Sequence, residues 1–105
     1  MVEPSFDRDA YPTEDTLDAI RQWPHEDIPG LVAFVRKAWE YEDYTKLSGR
    51  HLELHTGGWS GNESLIEALR DNTMFWGLCW RREDRGGHFW FELPGPKGDA
   101  DADVR

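Results

Sequence analysis

The chemistry-bearing residues of this chain gather around a glycine-rich turn, Thr56-Gly57-Gly58-Trp59-Ser60-Gly61-Asn62-Glu63, which separates an alternating segment from a helical one. A serine between strand and helix invites comparison with a nucleophile elbow, which needs a glycine two residues to either side of the serine. Here Gly61 directly follows Ser60 and Asn62 stands where the last glycine belongs, so Ser60 is not read as a nucleophile. Converging amides at a helix start can bind phosphate, but the turn lacks both a G-x-x-x-x-G-K-[ST] pattern and a lysine. The expected role is a corner. Gly57 and Gly58 take backbone angles that other residues resist, Ser60 caps the helix in a capping box with Glu63, and Trp59 folds inward. A small-ligand module built on Trp59 and Asn62 is the alternative.

His51, Glu53, His55 and His88 are all potential metal ligands. On one strand His51 and His55 would stand about 13 Å apart, too far to share an ion, although a Glu53–His55 or His51–Glu53 pair is able to meet His88 from a neighbouring strand. That set would suit a small metal-assisted hydrolase, a second alternative. The expectation is nevertheless a polar sheet face, with no metal and no cofactor. Cys79 is alone and has no C-x-x-C partner, so it reads as a small buried residue in a reducing compartment.

These groups need a scaffold, and the pattern predicts one. Residues 1–12, with Pro4 and Pro12, read as an extended arm. Thr13 caps a first helix carrying Leu17, Ile20 and Trp23, which Pro24 stops. Asp27 caps a second, from near Pro29 to about Tyr44, with Leu31, Phe34, Val35 and Ala38 on one face. Leu52 and Leu54 alternate with His51, Glu53 and His55 in a half-buried strand, and a short helix follows over 61–71. From Thr73, two β-rich runs flank a turn containing Gly86 and Gly87, at Arg85–Gly86 or Gly86–Gly87, and read as a hairpin. Met74, Trp76, Leu78 and Trp80 would then join Phe89, Phe91 and Leu93 on the core face, leaving Phe75, Cys79 and Arg81 opposite with His88, Trp90 and Glu92. The order α-α-β-α-β-β gives a single α+β domain over 13–93, a three-stranded antiparallel sheet with helices on one face, and residues 94–105 form a disordered acidic tail.

Composition bounds the partners. The chain has 105 residues, one cysteine, six tryptophans and a net charge of -9. Such a surface repels nucleic-acid phosphates and anionic lipids and attracts basic protein surfaces. Within residues 1–30, eight acids face Arg8 and Arg21 alone. No leader or apolar span is evident, so the expected location is cytoplasmic, away from membranes and without direct contact to nucleic acid; a homodimer is compatible with these features. Aromatic residues beside acids make good protein-interface anchors, as in Trp39-Glu40-Tyr41-Glu42-Asp43-Tyr44. The candidate binding set is therefore Trp59, Asn62 and Trp90, with the acids Asp15, Asp18, Glu40 and Asp43.

The stretch "ELHTGGWSGNESLIEAL", followed by "FW", "CW" and "RGGHFWFE", resembles small uncharacterised proteins encoded by bacteriophages and prophages, over about residues 50–93. The resemblance brings no catalytic or binding residues with it. It implies a phage-associated setting and, with the acidity, a non-enzymatic protein that modulates a host or phage protein complex. An inhibitor of a defence nuclease or of a CRISPR complex is a concrete instance.

Overall fold

Thr13 caps the first helix as its sequence predicts: its side chain accepts the Thr16 N–H, and α1 runs Glu14–Arg21. In this computed structural model, which describes residues 3–94, Asp27 likewise caps α2, Ile28–Ala38, by accepting the Gly30 N–H. The tail expected over 94–105 lies outside the described residues except for Pro94. The remaining elements are β1 (Thr45–Ser48), β2 (His51–His55), α3 (Ser60–Asp71), α4 (Thr73–Cys79), β3 (Trp80–Asp84) and β4 (His88–Glu92). The result is a small α+β domain with four α-helices and one antiparallel sheet in the order β1-β2-β4-β3.

The sheet has four strands rather than the expected three, and the difference lies in two segments. The second helix ends at Ala38, six residues before Tyr44. Tyr41 takes a left-handed conformation at φ 65°, which no α-helix tolerates. Thr45–Ser48 then pairs with β2 across the Gly49-Arg50 turn. The expected strand at Thr73 is instead α4, and β3 begins only at Trp80. A short apolar run reads either way, and here the helical spacing prevails. Phe75 and Cys79, four residues apart, are fully buried, whereas Met74, Leu78 and Trp80 are exposed, the reverse of the alternating pattern.

Asn72 explains why a second helix starts there. Its Oδ1 accepts the Phe75 N–H at 3.1 Å, and its Nδ2 donates to the Ile20 and Trp23 carbonyls at 2.8 and 3.2 Å. One buried side chain thus caps α4 and ties it to the C-terminal end of α1. Helix α3 lacks such a cap: Trp59 holds the N-cap position without a side-chain bond, and Ser60 is the first helical residue, so the expected Ser60–Glu63 capping box does not form.

Burial follows the β2 alternation that the sequence displays. Leu52 and Leu54 face the core with Phe89 and Phe91 from β4, joined by Ile20 of α1, Leu31 and Val35 of α2, Leu65 and Leu69 of α3, and Phe75 of α4. The hairpin forms around the two glycines as predicted, but its turn is the three residues Arg85-Gly86-Gly87 between paired Asp84 and His88, with φ of 89° and 81° at the glycines. Glu53 and His55 of β2, with His88 and Trp90 of β4, stand on the other face.

Replacing Asn72 with alanine removes the cap and strands the Trp23 carbonyl, while the Ile20 carbonyl keeps the Trp23 N–H. The expected loss is about 2 kcal/mol of folding stability, measured by urea denaturation.

Candidate functional site

Two constellations emerge, one at the glycine-rich corner and one on the outer sheet face. At the corner, Gly57 and Gly58 have φ of 63° and 81°, as expected, and the Trp59 ring lies over Gly57 so closely that a Cβ there would collide with it. Tyr41 and Tyr44 pack on Trp59 with ring centroids 4.8 and 5.3 Å away. Their contact distances suit edge and tilted aromatic pairs. Trp59 is thus half-buried among aromatics, while Tyr11, Tyr41 and Tyr44 stay substantially exposed.

Asn62 has a structural duty that the sequence leaves open. Its Oδ1 accepts the Glu40 N–H at 2.8 Å, and its Nδ2 donates to the Glu40 and Thr56 carbonyls at 3.2 and 3.1 Å. It is 1% exposed. The side chain clamps the chain leaving α2 to the end of β2, which holds Glu40 and Tyr41 beside Trp59. Trp39 adds a parallel tie, its indole N–H donating to the His55 carbonyl at 3.1 Å.

A cleft of about 380 Å³ opens at this corner between Asp9-Ala10-Tyr11 and Gly58-Trp59-Ser60-Gly61, with Glu40 on its wall. Among the described residues, the two non-glycine residues with positive φ are Ala10 and Tyr41, at 67° and 65°. Both border the corner. Such backbone strain persists where the surroundings enforce it, and it concentrates at binding sites.

The predicted binding residues divide accordingly. Trp59, Asn62 and Glu40 come together, with Asp43 exposed in the adjoining Glu42–Tyr44 turn. Asp15 is exposed on the first turn of α1, close to Pro12, which touches Gly61. Asp18 is elsewhere. It pairs with Arg21 at 2.6 Å, and Arg21 reaches Asp71 at the far end of α3, about 18 Å along that helix from Ser60. Trp90 lies on the outer sheet face, where the Arg82 guanidinium stacks 4.8 Å from its ring. The sequence reading missed Asp9, Ala10 and Tyr11, because the bridge between Phe6 and Pro12 that presents them is a tertiary feature of a segment without periodicity.

On the outer face, His55 is directly opposite His88 and Glu53 opposite Trp90. The Leu93 N–H donates to the Arg50 carbonyl at 2.7 Å and the Thr56 N–H to the Gly87 carbonyl at 2.9 Å. These bonds mark the even-numbered positions of β2 as the hydrogen-bonded pairs. His55–His88 is therefore a non-hydrogen-bonded pair, in which side chains approach more closely. Their Nδ1 atoms are 2.8 Å apart, and His55 Nε2 is 3.2 Å from Glu53 Oε1. His51 is at the opposite end of β2, facing Glu92. Glu92 is held by Arg50, with Arg81 nearby, and its carboxyl lies below the usual range chiefly because of the Arg50 hydrogen bond.

Neither constellation presents an activated nucleophile. Ser60 is exposed at the helix start, and burial pushes the Cys79 thiol up to about 11, with Arg81 opposing the shift weakly. Two outcomes follow. Native Cys79 resists iodoacetamide and becomes reactive only when urea unfolds the chain. Asn62→Ala loses about 2 kcal/mol of stability in urea denaturation, since it strands the Glu40 amide and the Glu40 carbonyl, while the Thr56 carbonyl keeps the Trp59 N–H.

Comparison with protein-family models, with curated proteins and with solved structures found no match in any of the three.

Proposed function

We propose that this protein is a non-enzymatic interaction protein whose acidic aromatic corner docks on a basic surface of a partner protein. The observation that carries the reading is the corner itself: exposed Tyr11, Tyr41 and Tyr44 are grouped around Trp59, with the carboxylates Asp9, Glu40, Glu42 and Asp43 beside them. Rigid aromatic rings provide large contact area at little entropic cost, and tyrosine and tryptophan dominate interface hot spots. The acids supply attraction. Asp43 and Glu40 make no side-chain ion pair among the described residues, so their charge is available to arginine or lysine, whereas Glu42 is only loosely paired with Arg36 at 3.9 Å. A net charge of -9 speeds encounter with a cationic surface and repels nucleic acid.

A basic surface that ordinarily binds nucleic acid is the matching partner. The resemblance to phage-encoded proteins makes a host defence nuclease or a CRISPR complex the instance to try first. In that setting the corner competes with nucleic acid for one surface and inhibits without chemistry. Trp90, Asp15 and Asp18 are not needed for this contact.

The test is direct binding to purified candidate complexes with labelled nucleic acid as competitor, using Glu40→Lys with Asp43→Lys and, separately, Tyr41→Ala. Expected are affinity that falls steeply with salt, mutual exclusion with nucleic acid, and a loss of roughly tenfold or more in the double charge reversal. Salt-insensitive binding, or binding that survives both variants unchanged, would sink the reading. Binding that coexists with nucleic acid would remove the competition mechanism.

A further inference from the structure

We infer that the outer face of the sheet carries a binding site for a divalent first-row transition metal, formed by the His55 and His88 imidazoles through their Nδ1 atoms. This site is separate from the proposed docking corner and does not depend on it. Three features of the pair point to a metal. The two rings come from directly opposed positions of β2 and β4 in a non-hydrogen-bonded pair, the register in which cross-strand side chains lie closest. Their Nδ1 atoms converge to 2.8 Å. The outward nitrogen of His55 contacts a carboxylate, Glu53 Oε1, at 3.2 Å.

The third feature fixes the chemistry. A carboxylate accepts hydrogen bonds and does not donate them, so Glu53 holds the His55 proton on Nε2 and leaves a lone pair on Nδ1. A carboxylate behind a histidine is the usual outer partner of a metal-ligating imidazole. Without a metal, His88 must supply the proton between the two Nδ1 atoms. When an ion binds, that proton is displaced, His88 takes its Nε2–H tautomer, and two lone pairs face one point. Ligand bonds of 2.0–2.1 Å at a tetrahedral angle require the two nitrogens to be about 3.3 Å apart. The nitrogens need to separate by only about half an ångström. Because the hydrogen-bonded rings point along the line between them, each partly exposed ring must also turn by roughly 35° to aim its lone pair at the ion.

The surroundings leave the remaining positions to water. Asp84, which faces His88 across β3 and β4, has both carboxylate oxygens engaged by Arg82, at 2.7 and 3.0 Å. No set of three or more His, Cys, Asp or Glu side chains among the described residues is placed to hold an ion together. Two imidazoles with water suit copper, nickel or zinc rather than magnesium or calcium, and copper is expected to bind most tightly. The ion would staple β2 to the β3–β4 hairpin. Trp90, with its ring centroid 6.0 Å from that of His55, is placed to report it.

The experiment uses tag-free protein at neutral pH with copper, nickel and zinc chlorides, read by calorimetry, by imidazole NMR signals and by thermal unfolding. Expected are one saturable site, shifts confined to His55 and His88 while His25 and His51 stay unmoved, tryptophan quenching by copper, and a raised Tm. His88→Gln and His55→Gln should each abolish the site, Glu53→Gln should weaken it roughly tenfold or more, and His51→Ala should leave it intact. Circular dichroism confirms that each variant folds. Absence of saturable binding, shifts at His25 or His51 instead, or unchanged affinity in His88→Gln would each overturn the proposal. So would an Nδ1–H···Nδ1 hydrogen bond that persists unchanged at saturating metal.

Discussion

The pairing of β2 with β4 is the constraint on which the rest of the domain depends. It joins segments centred on Glu53 and Trp90, far apart in the chain, and places Leu52 and Leu54 against Phe89 and Phe91 on one face. Period-two geometry then sends the odd positions of β2 outward without further choice, so the same register that closes the core also sets His55 against His88. A one-residue slip of β2 would turn His51, Glu53 and His55 inward and expose Leu52 and Leu54. The hydrophobic penalty against that slip is what makes the outer-face constellation reproducible. β1 and β3 are additions on either side of this central pair, and their side chains are largely exposed.

Two buried asparagines tie the helices to one another and to the sheet, so apolar packing does not hold the layers alone. Asn62 secures the chain after α2 to the end of β2, and Asn72 secures α4 to the end of α1. Each side chain replaces backbone partners that irregular segments lack, which is why both tolerate burial. The clamp at Asn62 also positions the surface. By fixing Glu40 it sets where Tyr41 begins its left-handed turn, and hence where Tyr41 and Tyr44 meet Trp59. The fold thus builds an exposed aromatic corner from a buried amide.

How much of this was readable depended on whether a segment carried one periodicity or two. The caps at Thr13 and Asp27, the alternation in β2 and the glycine hairpin each had a local signature, and each formed. The run from Thr73 to Trp80 did not. Its apolar residues satisfy both a strand and a helix, and the helix forms with the Asn72 cap at its start and Phe75 and Cys79 buried at helical spacing. Tyr41 misled in a similar way, because the amphipathic pattern of α2 continues past Ala38 although the backbone turns there. At the glycine-rich turn, Ser60 and Glu63 had the spacing of a capping box, but Trp59 took the N-cap position.

By itself, the sequence determined the class of the fold, the acid excess and which face of β2 is buried. These follow from composition and from periods of two and 3.6 residues, which are local properties. Only the tertiary structure decided that Asn62 clamps Glu40 to the end of β2, that Tyr11 and Ala10 border Trp59, and that His55 faces His88 across a 2.8 Å gap. Such contacts join segments that carry no record of each other's position. They are set by strand order and register, which the burial of the whole core selects at once.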